Sequence, residues 1–93
     1  MTRPVYSDAD RADLFRGLAH PVRRRVLTML GNSEHSANQL RSGLKLSQPA
    51  MSQHLKVLRD TGLVRQRVEG SQRLYRVNPS TVRKLQRWAA QLA

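Results

Sequence analysis

Gln48, Ser52, Gln53 and Lys56, with Pro49 among them, recur at a spacing that sets them on one side of a helix. Met51, Leu55 and Leu58 fall on the opposite side. A glutamine amide can bond adenine bidentately, and a serine hydroxyl can serve a base edge or a phosphate. Ser47 suits an N-cap, and the helix N-terminus it opens favours an anion. The predicted helix spans 47–61, with Gly62 placed to supply a left-handed close. His54 lies between the two sides, where it can touch phosphate, cap a neighbouring group or fill a helix joint. An ordinary solvated helix face is the plainer alternative for the polar set.

Downstream, 63–68 and 72–77 alternate with a period of two around Gly70-Ser71, which predicts a tight hairpin. With those two residues as the turn, Arg65 sits opposite Arg76, and Arg67 opposite Leu74. Val64, Gln66 and Val68 then share the other face with Tyr75 and Val77, and that face rests on the core. Like charges directly across a strand pair repel, so the arginines make better sense beside an anion. Arg73, nearer the tip, is a further candidate contact. A rim kept soluble by arginine is the alternative, and a one-residue slip would reshuffle both faces.

The wider composition agrees with an anionic partner. The 93 residues carry 17 Lys+Arg against 6 Asp+Glu, a net charge of +11, or +22 for a two-fold dimer. Such an excess attracts polyanions. Lys45, Lys56 and Lys84 are the only lysines, so arginine, whose planar fork suits phosphates and base edges, dominates. There is no cysteine, which excludes disulfides, thiolate metal sites and cysteine switches. Glu34-His35 is one adjacent pair, short of the three or four converging ligands a metal needs. No triad pattern and no phosphate-cradling glycine loop appears, so no enzyme activity, cofactor or metal is expected. No apolar run nears the ~20 residues of a membrane span, and residues 1–8 have no signal-peptide apolar region. A soluble, cytoplasmic, nucleoid-associated protein is expected.

Other elements must position the helix and hairpin. Residues 1–6 read as a flexible arm. A first helix over 7–19 takes Ser7 as cap, favours Asp8 and Asp10 near its positive end, and is weakened by Gly17. His20 falls at a junction and reads as structural. Pro21 opens a second helix, with Val22, Val26, Leu27, Met29 and Leu30 at helical spacing, stopped by Gly31-Asn32. Arg23, Arg24 and Arg25 fan out and cannot share one partner. Ser36 and Gln39 form a capping-box pattern for a short third helix ending near Gly43. Asn78-Pro79 opens a last helix over 79–93.

The order is four helices, a hairpin and a helix. That is a mainly α single domain over 1–93, a winged helix-turn-helix of about five helices and a two-stranded wing over 63–77. The terminal helices, 7–19 and 79–93, carry apolar stripes: Leu14, Phe15 and Leu18 on the first, Val82, Leu85, Trp88, Ala89 and Leu92 on the last. Both can pack on their own domain, yet one thin helical layer does not easily cover them. A homodimer interface is therefore expected there. Two recognition helices would then lie roughly 34 Å apart, matching a palindromic site on double-stranded DNA.

Two segments carry a family resemblance. Leu18-Ala19-His20-Pro21-Val22-Arg23-Arg24-Arg25-Val26-Leu27 resembles the second-helix signature of the ArsR/SmtB-type bacterial repressors. The segment from Leu46 to Leu58, followed by Gly62-Leu63-Val64, is similar to their recognition helix and wing entry, and Gly70 to Val77 to the wing's return strand. The resemblance implies a homodimeric repressor whose terminal helices form the dimer and which leaves its operator when an effector binds. By position, Gln48, Ser52, Gln53 and His54 would read the groove, with the wing arginines on the flanks. Metal-sensing members carry cysteines, or acidic and histidine ligands on the last helix. Here there is no cysteine, and 79–93 holds no His, Asp or Glu, so the resemblance is to a non-metal-sensing member.

The expected function is therefore a sequence-specific dimeric repressor. One alternative is a basic architectural or RNA-binding protein that coats nucleic acid without choosing sequence, with steep salt dependence. The uncharged polar helix face and the scarcity of free aromatic residues speak against it. Another is an interaction domain that offers the hairpin to an acidic protein.

Overall fold

The computed structural model describes residues 8–92. The expected arm over 1–6, the Ser7 cap and the Asp8 and Asp10 side chains lie outside the described residues. The elements are α1 (Asp8–Leu18), α2 (Pro21–Leu30), β1 (His35–Ser36), α3 (Ala37–Leu44), α4 (Gln48–Asp60), β2 (Val64–Glu69), β3 (Gln72–Val77) and α5 (Pro79–Ala90). The helix-turn-helix is α3–α4, and β2–β3 is the wing.

Local chemistry accounts for most boundaries. The Ser36 hydroxyl accepts from Gln39 N–H, and the Gln39 side chain accepts from Ser36 N–H, closing the capping box. The Ser47 hydroxyl accepts from Ala50 N–H, with Pro49 in the first turn of α4. α3 runs one residue past Gly43. It is closed by Lys45, which takes the left-handed φ of 56° that glycine usually supplies. At the end of α4, Gly62 (φ 80°) donates to Arg59 C=O and Leu63 N–H to Leu58 C=O. This is a Schellman close that turns the chain into β2.

The cap of α2 came from a residue type that capping rules rank low. His20 Nδ1 accepts from Val22 N–H at 3.1 Å. Arg23 and Arg24 reach back onto the last carbonyls of α1, at Arg16, Gly17 and Leu18. The arginine run thus fixes the α1–α2 corner, where cations offset the negative end of α1.

The hairpin register is the expected one, with Arg65 opposite Arg76, Gln66 opposite Tyr75 and Arg67 opposite Leu74. The sheet holds a third strand, which the period could not show. β1 is two residues long and pairs His35 with Tyr75 and Ser36 with Leu74, in the order β1-β3-β2. Two residues carry no alternation; the partner strand defines them. Val68 corrects the expectation that its whole face rests on the core. It is 65% exposed, because the tip of the wing extends past the body.

The core gathers Val26, Leu30, Leu40, Met51, Leu58 and Leu63, with Leu14, Leu55, Val64 and Tyr75 around them. Leu14 is 4% exposed and belongs to this core rather than to an outer interface. Leu18, Leu85 and Trp88 pack half-buried against it, and Phe15 meets Trp88 edge to face at 4.9 Å. Val82 is half-buried, whereas Ala89 and Leu92 are exposed. α5 is anchored at its start, where Thr81 donates to Gly62 C=O and Asn78 N–H to Leu63 C=O. No helix among the described residues is long and apolar enough to cross a membrane.

Candidate nucleic-acid interface

The α4 cylinder divides as its sequence dictates. Met51, Leu55 and Leu58 are buried, while Gln48, Pro49, Ser52, Gln53 and Lys56 are exposed. In front of this face lies a groove of about 310 Å³. Gln48 and Ser52 form one wall, Arg73 and Gln72 of the wing form the other, and Asn38 sits at its end in the first turn of α3. Three elements therefore surround a space whose accessible side chains are amide, hydroxyl and one guanidinium. Such a surface can donate to and accept from base edges while holding a phosphate.

The other expected contacts divide differently. Arg73 shares its sheet face with Tyr75, so it looks toward α4. Arg65, Arg67 and Arg76 lie on the opposite face. Arg67 is held by two carboxylates. Its Nε and one terminal nitrogen bond both oxygens of Glu34 at 2.7 and 2.8 Å, and the other terminal nitrogen pairs with Glu69 at 2.7 Å. The Arg67 hydrogen bond, reinforced by the nearby Arg67 and Arg76 charges, holds the Glu34 carboxyl below its ordinary value. Glu34 and Glu69 in turn raise the pKa of Arg67.

His54 turns away from the exposed face. Its ring lies 4.5 Å from that of His20, and Arg23 approaches its Nδ1 at 3.4 Å. A guanidinium only donates, so in this contact Nδ1 can serve only as the acceptor. Burial, then the His20 and Arg23 charges, push its pKa down. His54 therefore sits at the joint between α4 and the α1–α2 corner. The exposed Ser47 hydroxyl accepts its capping bond from Ala50 N–H and keeps its own O–H to donate. Lys56 pairs with Asp60 at 2.7 Å, which lowers the Asp60 pKa, and Arg59 donates to Gln66 at 2.6 Å, tying α4 to the wing.

Asn38 and Gln72 were not anticipated as groove residues. The hairpin register alone sets Gln72 on the face of Leu74 and Arg76, so its place in the groove comes from its position beside the turn, and the place of Asn38 depends on how α3 crosses α4. Among the described residues, no three His, Asp or Glu side chains converge as a metal site would require.

A family model described as a helix-turn-helix domain matches residues 18–67. An HTH-type transcriptional regulator of Mycobacterium tuberculosis is 37% identical over 76 residues, 82% of this chain and 69% of that protein. The solved structure of an ArsR-like transcriptional regulator from Rhodococcus sp. RHA1 has a TM-score of 0.74 at 33% identity, over 90% of this chain and 83% of that one. The chain belongs to the ArsR/SmtB-type family of helix-turn-helix regulators. The biofilm growth-associated repressor of Agrobacterium fabrum is also similar, 41% identical over 66 residues, 71% of this chain and 56% of that protein. The ArsR/SmtB-type wing and recognition helix therefore carry the groove described above.

Proposed function

We propose that the chain is a homodimeric, sequence-specific transcriptional repressor that works by binding DNA, not by catalysis, in the cytoplasm on the nucleoid. α4 would enter the major groove with Gln48, Pro49, Ser52 and Gln53 at the bases and Lys56 beside the backbone, and Arg73 would hold the flanking strand. The observation that carries this is the convergence of Gln48 and Ser52, from the uncharged polar face of α4, and the Arg73 guanidinium on one groove. Repression, rather than activation, draws on the similarity to the Agrobacterium biofilm growth-associated repressor. As a non-metal-sensing member, it would release DNA without a bound metal.

The dimer would bring together the exposed remainder of the terminal stripes: Phe15, 40% exposed, Leu92, 71% exposed, and Ala89, with Trp88 between them. Leu18, Val82 and Leu85 would support that surface from beneath, and Leu14 would act only through the core. A two-fold arrangement would set two α4 helices about one DNA turn, roughly 34 Å, apart.

The test is titration of a selected duplex and an unrelated duplex with the wild type and with Gln53→Ala. Loss confined to the selected duplex supports base reading. Equal loss on both makes Gln53 a backbone contact and favours the non-specific coat.

A further inference from the structure

On the side of the wing away from α4 lies a second cleft, of about 530 Å³, within the usual range of small-molecule sites, ~300–1,000 Å³. Arg65 and Arg76 enter it from the two wing strands, directly opposite each other, and Arg83 enters from α5. No Asp or Glu lines it. Among the described residues, Arg65 and Arg83 have no hydrogen-bond or ion-pair partner. Glu34, whose charge reaches Arg76, is engaged on both oxygens by Arg67.

Three guanidinium groups in one concavity repel, and the cross-strand pair weakens the wing. An oxyanion removes that repulsion, and the planar fork of arginine binds phosphate or carboxylate with two parallel hydrogen bonds. Val77 and Val82 give the cleft an apolar wall for a carbon body. Val82 borders both this cleft and the α5 stripe assigned to the dimer, whereas Arg83 lies off that stripe.

We propose that this cleft binds a small multivalent oxyanion, a phosphate ester or polycarboxylate, through Arg65, Arg76 and Arg83. Two of these ligands stand on the wing and one on α5, so occupancy clamps the wing to α5. A backbone phosphate of a bound duplex is the other source of the same chemistry. That regulatory consequence rests on the DNA-binding reading; the anion site does not.

The experiment uses inorganic pyrophosphate on the whole chain by calorimetry at fixed ionic strength, with Arg65→Gln and Arg83→Gln. One saturable site per chain is expected, at least tenfold weaker in each variant, while the free variants unfold at the wild-type temperature or above it, since each loses a repelling charge. Equal affinity in Arg83→Gln, or heats that follow ionic strength alone, would overturn the site. A parallel duplex titration separates the sources. Free-anion binding predicts that Arg83→Gln leaves the salt dependence of duplex affinity unchanged, whereas a slope reduced by about one contact would assign the cleft to the DNA backbone and overturn the small-ligand proposal. Failure to bind any duplex would sink the proposed function and leave the calorimetric result standing.

Discussion

Glu34 and Arg67 are joined by two parallel hydrogen bonds, at 2.7 and 2.8 Å, between the segment before β1 and the first wing strand. They stand 33 residues apart in the chain, so the pair fixes how the wing leaves the body. It also removes Arg67 from the free cations that repulsion across the hairpin would otherwise involve.

That pair has a pH signature. The folded Glu34 pKa lies below its ordinary 4.5, chiefly through Arg67. The stabilisation is therefore present above about pH 4.5 and is lost as pH falls through the lowered folded value. Carboxyl titration by NMR should show a Glu34 midpoint below 4.5 that returns toward it in Arg67→Ala. A midpoint unchanged by that substitution would mean that the pair does not persist in solution.

His54 gives a second window. Its folded pKa is below the ordinary 6.5 through burial first, then His20 and Arg23. The unfolded chain binds more protons between the two values, so stability is full above about pH 6.5 and falls as pH drops through the folded pKa. Denaturant midpoints should decline between pH 7.5 and 5.5, and less so in His54→Gln. A decline of the same size in the variant would place the cause elsewhere.

Gly17 is expected to resist any side chain. A Cβ there would collide with Leu63 Cδ1 and Thr61 Oγ1, and both residues are buried. Gly17→Ala should lower stability by about 1–3 kcal/mol in equilibrium unfolding, the usual cost of overpacking, despite the better helix propensity of alanine. A gain in stability would show that α1 can shift outward freely.

The caps and the register were legible in sequence because each is decided within a few residues. Ser36 with Gln39, Ser47 with Pro49, and the alternation about Gly70-Ser71 need no distant partner. What was illegible depends on long-range contact. β1 exists only because β3 runs beside it, Arg67 finds Glu34 across the fold, and Leu14 meets the core rather than the outside. Gly17 reads locally as a weak helix residue, whereas its reason is the close approach of Leu63 and Thr61. The faces of the wing were assigned correctly, but alternation alone does not say which face looks toward α4.

Ser47→Ala should cost about 1 kcal/mol, the usual worth of an N-cap, because the Ser47 hydroxyl is bonded to Ala50 N–H. Ser47→Asp, which keeps an acceptor, should restore stability but weaken duplex binding by placing a negative charge at the groove. Thermal unfolding and duplex titration of the two variants separate these effects; equal stability of Ser47→Ala and wild type would show that the cap contributes nothing.

The most direct measurement is selection of bound duplexes from a randomised DNA pool at about 150 mM salt, where non-specific affinity is suppressed. A two-fold symmetric motif with half-sites about one DNA turn apart is expected, since two α4 helices would be read together. An unenriched pool, despite tight binding at low salt, would contradict sequence reading by the α4–Arg73 groove.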